Sequence, residues 1–518
     1  MLESCSRIRQ YDLSVYAFLA VRIRPNQFNC RKMSRKLYLF AMGGTGSRVL
    51  KSLLMLLAAG VRLSDDNSWE LEPIVIDPDQ GGGNLTDSVE AGTNFLKVRR
   101  GVSYDIPQHF PGFFAQPIGG DKIEMVQWDE VSNEDFRAYI HLDALKGTSC
   151  HPLVSLLYSD ANLSMNMREG FRGNPNVGCV VLNQLKPWIT DFIEHRLHSD
   201  DRVLVVSSIF GGTGASALPL LVKQLRRSSK SHVPIAAVSV HPYFNLEKPE
   251  DDGTGVETID SATFVGKTKA ALRYYNRNLH ELDVCYYIGD THGNRYTNCA
   301  GGRKQENPAS FVELASALAV VDFARMQLEE DETRRTQYKE FAIKENKDIL
   351  TFIELSDSTL RQIQRPITQL SLLSKYLREQ LPTGRKNQWA QRIAMPKGWF
   401  AETNPTFAAL MEFTGRYLEW LEMLGEGSGH RFAPLDLEAS GSELFCLVRG
   451  RENSGRTLGG FKGYGLFDRC LNLEAEHVVR GLKRNEKGAD TAMQRLLELF
   501  WRATGRLVND HLNLTAIK

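Results

Sequence analysis

A strand that ends in a glycine turn and restarts as a helix occurs twice in this chain, and that pair constrains the fold more than any other feature. The first copy is FAMGGTGSRVLKSL at Phe40 to Leu53, where apolar Leu37 to Phe40 runs into Gly43, Gly44, Thr45 and Gly46. Val49, Leu50, Leu53, Leu54 and Leu57 then recur at helical spacing. The second copy, VLVVSSIFGGTGASALPLLVKQL, carries Gly211, Gly212, Thr213 and Gly214, with Leu218, Leu221, Val222 and Leu225 marking its helix. Glycines let the backbone take positive φ and let a ligand come within contact distance. The unpaired N–H groups of the following helix point back at that ligand, and the group such a terminus suits is a phosphate. A third candidate loop, Gly170 to Gly178, lies between the two and could form an anion-binding nest.

The remaining candidate strands fit the same plan. Pro73 to Asp77, Arg202 to Ile209, Ile235 to Val240 and Val284 to Ile288 are short apolar, largely β-branched runs separated by helical pattern. Alternation of this kind predicts an α/β domain around a mainly parallel sheet, with ligand loops at the carboxyl ends of its strands. A helix is expected from Asn307, with Asn307 as N-cap and Pro308 in the first helical position. It is apolar on nearly all sides through Phe323 and is therefore expected to be buried. Beyond about residue 330 the texture turns charged and mixed, with glycine-rich stretches near 424 to 464 and a terminal helix expected from about Ala489 to Leu507. Residues 1 to 35 read as an N-terminal extension, with Met33 the expected native start.

Composition narrows the function classes. With 518 residues, 42% hydrophobic and 24% charged, the chain is ordinary for a globular protein of two or three domains. Its net charge of +1 gives no clear nucleic-acid signal. Eight cysteines without a C-x-x-C pair argue against a zinc site or disulfide framework and suit a reducing cytoplasm. The twelve histidines show no metal spacing, and no apolar run is long enough to span a bilayer. His241 reads as a satisfied loop residue.

GGTGASALP resembles the signature loop of the tubulin and FtsZ superfamily, GGTGTGAAP, with the proline in register. GNPNVG is similar to the ANPEVG of a second phosphate loop in that superfamily. AVSVHPYFNLE resembles the strand and Pro-Phe-x-Phe-Glu stretch that follows, and LHELDVCYYIGD the next strand with its base-facing end. With IDPDQGGGNL, the set is most similar to divergent bacterial tubulin-like proteins. The resemblance implies a tubulin-like α/β GTP-binding domain at 36 to 327, including a central buried helix, and a smaller α+β domain at 328 to 518. It implies GTP or GDP with Mg²⁺ as ligand, head-to-tail self-association into filaments, and slow hydrolysis at subunit junctions.

Site roles follow from the same resemblance. Gly43, Gly44, Thr45, Gly46 and Ser47 would receive phosphates at the first helix, and Gly211, Gly212, Thr213, Gly214 and Ala215 at the second. Gly173 and Asn174 would approach the terminal phosphate, Asp77 and Asp79 would meet phosphate-bound Mg²⁺ through water, and Glu247 would hold the ribose. Asp290 or Asn294 would read a guanine edge, although the family's Asn-Asp pair is altered here. Glu329, Glu330, Asp331 and Glu332 are the acidic group beyond the central helix that would activate water in a neighbour's site; the alternative is a solvated charge run. Val321 to Ala324 looks like the family's acidic loop but falls inside the helical pattern. Two rivals stand beside this reading. One is an ATP-dependent adenylating enzyme of the ubiquitin-activating type, whose arginine after Asn-Leu is replaced here by Thr86 and Asp87. The other is a nucleotide-binding scaffold that does not hydrolyse.

Overall fold

The computed structural model describes residues 35–518 except 67, 80, 103–111, 127–134, 168–169, 248–260, 280, 291–292, 298–306, 329–334, 341–342, 344–346, 384–386, 451–459, 485–490, 513 and 515–518. The proposed start at Met33 and the N-terminal extension to residue 34 lie outside them. From Arg35 onward the chain packs as one body.

Strand β1 (Arg35–Met42) is followed by helix α1 (Gly43–Ala58), β2 (Trp69–Ile76), α2 (Gly83–Arg100) and the two-residue β3 (Glu124–Met125). Then come β4 (Arg202–Ser208), α3 (Thr213–Arg226), β5 (Ile235–Val240), β6 (Phe244–Leu246), α4 (Phe264–Asn278), β7 (Val284–Ile288), β8 (Asn294–Tyr296), α5 (Phe311–Arg325) and β9 (Gln337–Glu340). Seven of these strands form one sheet in the order β3-β2-β1-β4-β5-β7-β9. Every pairing in it is parallel. The order reverses between β1 and β4, and it is outside the carboxyl ends of strands at such a switch point that doubly wound sheets bind ligands. Both glycine turns begin there.

Parallel strands are covered on both faces, which explains their unbroken apolar runs. β4 is buried from Val203 onward and β5 along its whole length. α1 is buried at every position but Gly44, because it lies between the sheet and further helices. α5 carries the expected all-round burial, packing on α1 and the sheet. Its start differs from expectation. Ser310 is the cap, accepting from Val312 N–H, while Glu313 reaches back to the Ser310 N–H in a capping box. Asn307 instead donates its N–H to Asn84 Oδ1 at 3.0 Å.

The later helices are α6 (Asp357–Lys375), α7 (Pro405–Leu424), α8 (Gly463–Arg484) and α9 (Ala492–Asp510). α7 lies against α2, with Arg416 pairing with Asp87 and Glu90, and it also reaches α1, where the Trp420 indole N–H donates to Ser52 Oγ at 3.2 Å. Strand β9, beyond the boundary expected at 327, extends the main sheet.

Candidate functional site

Three long helices begin at one cleft, and none of the three has a side-chain cap. α1 starts behind Met42, α2 behind Gly82 and α3 behind Gly212, and no acidic residue lies in the first turn of any of them. Four other long helices do have side-chain caps, Ser310 on α5, Ser356 on α6, Asn404 on α7 and Thr491 on α9, whereas α4 does not. Each uncapped start leaves N–H groups in need of acceptors and the equivalent of about half a positive charge. The starts of α1 and α3 nearly touch, since a Cβ placed on Gly43 would lie 3.3 Å from Thr213 Cβ.

The cleft encloses about 1040 Å³, its open mouth included. The first glycine loop, the end of β2, the start of α2, the 170–173 loop and the second glycine loop line it on the polar side. Phe210, Phe244, Leu246 and Phe264 supply an apolar wall. The small parallel pair β6 and β8 delivers Phe244 and Leu246 to that wall, with Thr297 just after β8.

The glycines divide the work. Gly43 holds a φ of 69°, which glycine alone adopts without strain. Gly44 has open space where a side chain would go, with only Arg48 Nη1 at 4.0 Å. Gly46 is a packing glycine, because a Cβ there would stand 2.6 Å from the Ala41 carbonyl carbon and 3.1 Å from Val206 O. Gly212 faces the third loop, with 2.8 Å between its would-be Cβ and Phe171 Cβ, and Gly214 faces Ser208 N at 2.9 Å. In that third loop Gly170, Arg172 and Gly173 all take positive φ, so its backbone curls as a nest does.

Of the residues expected at the site, Gly43, Gly44, Thr45, Asp77, Asp79, Gly173, Gly211, Gly212, Thr213 and Gly214 line this one cleft. Gly46 and Ser47 sit just beneath, with Ser47 Oγ donating to Gly43 O at 3.2 Å. Asn174 donates its side-chain amide to Arg172 O at 3.3 Å, and Ala215 O accepts from the Tyr275 hydroxyl at 3.1 Å. Glu247 is exposed, and its backbone N–H donates to Tyr296 O. Asp290 and Asn294 are engaged by the 428–430 segment. Asn294 Oδ1 accepts from Ser428 N and Gly429 N at 2.9 and 2.7 Å, while the Asp290 carboxylate meets the His430 ring at 2.8 Å. Glu329, Glu330, Asp331 and Glu332 lie outside the described residues. His241 departs from expectation, since its Nε2 is buried without a partner among the described residues and burial lowers its pKa. Asp322, inside the Val321 to Ala324 run, lies within α5 and accepts from Tyr286 and Lys339.

Two carboxylates face the cleft from the end of β2. Burial pushes the Asp77 carboxyl up to about 7; the Asp79 N–H bonded to it at 3.2 Å opposes this and the Asp79 charge adds to it. No cluster of three or more metal-binding side chains occurs among the described residues. Two carboxylates beside uncapped helix starts are a donor set that fits Mg²⁺, which takes one or two protein carboxylates and completes its shell with phosphate oxygens and water.

Arg48 is the main residue that sequence reasoning missed. It lines the cleft from the second turn of α1, and its Nε donates to Glu313 Oε1 at 2.6 Å and its Nη2 to the Tyr243 hydroxyl at 2.5 Å. Burial opposes its charge, but Tyr243 and Glu313 outweigh burial and its pKa is raised. Asn84, Asn307 and the aromatic wall were missed as well. The capping-box spacing of Ser310 and Glu313 was a readable signal that Asn307 was free for another role.

Fold and site together define a doubly wound α/β protein with a cleft on which three uncapped helix starts converge. No protein-family model matches the chain, and no curated protein matches it. Among solved structures it is similar to CetZ2 from Haloferax volcanii, in a GTPγS-bound protofilament, at 12% identity over 56% of this chain and 59% of that one, with a TM-score of 0.28. CetZ from Methanosaeta thermophila matches at 13% identity over 56% and 51%, TM-score 0.28. An FtsZ variant from M. jannaschii matches at 11% over 50% and 48%, TM-score 0.26. The chain thus spans between about half and three-fifths of those proteins' lengths. No helix among the described residues is long and apolar enough to cross a membrane.

Proposed function

We propose that the cleft binds GTP or GDP with Mg²⁺, and that the chain self-associates head to tail into filaments whose junctions hydrolyse the nucleotide slowly. The observation that carries the nucleotide reading is the convergence of three uncapped helix starts and two glycine loops at the switch point of a parallel sheet. Gly44, Thr45, Gly211, Gly212 and Thr213 would hold the phosphates, with Gly173 and Asn174 from the third loop. Asp77 and Asp79 would meet Mg²⁺, which supplies charge neutralisation for the phosphate oxygens. The apolar wall would take the ribose and base. A head-to-tail contact is heterologous and gives open filaments when its rotation does not close.

Assembly and turnover are tested together. With GTP and Mg²⁺ the protein should sediment above a threshold concentration, and phosphate release per subunit should rise at the same threshold. Neutralising Glu329, Glu330, Asp331 and Glu332 should slow release by about 10²- to 10⁴-fold while leaving GTP affinity unchanged. Turnover independent of assembly, or exchange of pyrophosphate with ATP by a non-sedimenting protein, would overturn the proposal.

A further inference from the structure

Resting on the nucleotide reading above, we infer that Arg48 is the specificity residue of the cleft and selects a purine with an oxygen at C6, guanine over adenine. It does so by donating from Nη1 to the base's O6 and N7 edge. Three features of the structure carry this.

The first is the way Arg48 is held. Nε is committed to Glu313 and Nη2 to Tyr243, while Nη1 has no hydrogen-bond partner among the described residues. Its side chain is 7% exposed, yet Arg48 lines the cleft, and Nη1 stands 4.0 Å from where a Gly44 Cβ would be. A guanidinium clamped on two of its three nitrogens presents the third as a fixed donor. Little entropy remains to be lost when it binds.

Second, Arg48 stands beside the surface best suited to a base. Its Cζ is 5.9 Å from the Phe244 ring centroid, and Phe244 belongs to the apolar wall of the cleft. A purine laid on that wall brings an edge to Nη1.

The third feature is the state of the nearby acceptors. Guanine can also be read from its N1–H and 2-amino group by a hydrogen-bond acceptor, and several side-chain acceptors around the cleft already have protein partners. Glu313 Oε1 already accepts from Arg48 and Tyr243, and Oε2 from Ser310 N at 3.2 Å. Asp290 is bonded to His430, and Asn294 Oδ1 accepts two backbone N–H groups. Asp77 and Asp79 stand at the end of β2 beside the phosphate loops. Donation to O6 and N7 is the complementary way to distinguish guanine, and adenine opposes it with an amine at C6.

The test is a competition titration on the full chain with Mg²⁺ and four diphosphates: guanosine, inosine, 2-aminopurine riboside and adenosine. Inosine keeps O6 and lacks the 2-amine, and 2-aminopurine does the reverse. The guanosine and inosine compounds should bind within about threefold of each other. The 2-aminopurine and adenosine compounds should bind about tenfold to a hundredfold more weakly. Arg48→Lys keeps a cation for Glu313 but removes the fixed third donor, so the preference for guanosine over adenosine diphosphate should disappear. Inosine diphosphate binding as weakly as adenosine diphosphate, or a guanosine preference retained in Arg48→Lys, would overturn the role of Arg48. If that variant does not fold, the four ligands on the wild-type chain decide alone. Failure of all four to bind would instead overturn the nucleotide reading itself.

Discussion

Replacing Gly44 by alanine separates ligand approach from packing because the two readings give opposite signs. Gly44 lies in the first turn of α1 with φ outside the left-handed range, and its new methyl would meet only Arg48 Nη1 at 4.0 Å. Alanine in such a position restricts the unfolded chain, so the ligand-free protein should gain about 0.4–1 kcal/mol. Spread over an unfolding entropy of about 2 cal/mol/K per residue, that is a rise of at most about 1 °C for a body of this size. The methyl projects into the space through which a phosphate reaches the N–H groups of α1. Losing one or two charge-assisted bonds, at about 1.5–3 kcal/mol each, weakens nucleotide affinity by roughly tenfold or more. Wild-type protein at a hundred times Kd gains about 2.7 kcal/mol from its ligand, and in Gly44→Ala at the same concentration much of that gain should vanish. Thermal unfolding with and without Mg²⁺ and nucleotide reads both effects. Undiminished ligand stabilisation, or a clearly less stable ligand-free variant, would show that no ligand approaches at Gly44.

Other glycines should behave differently. Gly46→Ala presses on the backbones of β1 and β4 and should destabilise the ligand-free protein by about 1–3 kcal/mol in chemical denaturation. Gly212→Ala meets Phe171 and should lower nucleotide affinity by displacing the 170–173 loop, visible as new protease sensitivity there. Asn404→Ala removes the cap that accepts from Thr406 N and donates to Trp399 O, and should cost about 1 kcal/mol without altering nucleotide titrations. The Asp77 carboxyl, raised to about 7, binds its proton more tightly folded than unfolded. Its contribution to stability is therefore full below about pH 4 and is lost as pH rises through 7. Mg²⁺ favours the ionised form, so metal-dependent affinity should climb through the same window, and Asp77→Asn should flatten both profiles.

Legibility tracked how local each signal was. The two glycine turns, the five apolar strands and the buried central helix were readable because each is written in a contiguous run. β3 was missed because two residues carry no alternation, and β9 because QYKE is a polar, exposed edge strand. The Asn-Pro pair at 307 imitates a helix start, while the effective cap stands three residues later. Arg48 falls on the sequence of an ordinary amphipathic helix, and only the fold brings it to Tyr243 and Glu313. The contact of residues 428–430 with Asp290 and Asn294 was not legible, because the partners lie about 135 residues apart in sequence.

Binding of nucleotide through its phosphates is tested most directly by calorimetric titration of the wild-type chain with GTP, GDP and guanosine at fixed Mg²⁺. A cleft built from three uncapped helix starts should bind GTP and GDP at one site per chain and guanosine at least about a hundredfold more weakly, since the phosphates carry the charge-assisted bonds. Absence of heat with all three, or guanosine binding as tightly as GDP, would contradict it.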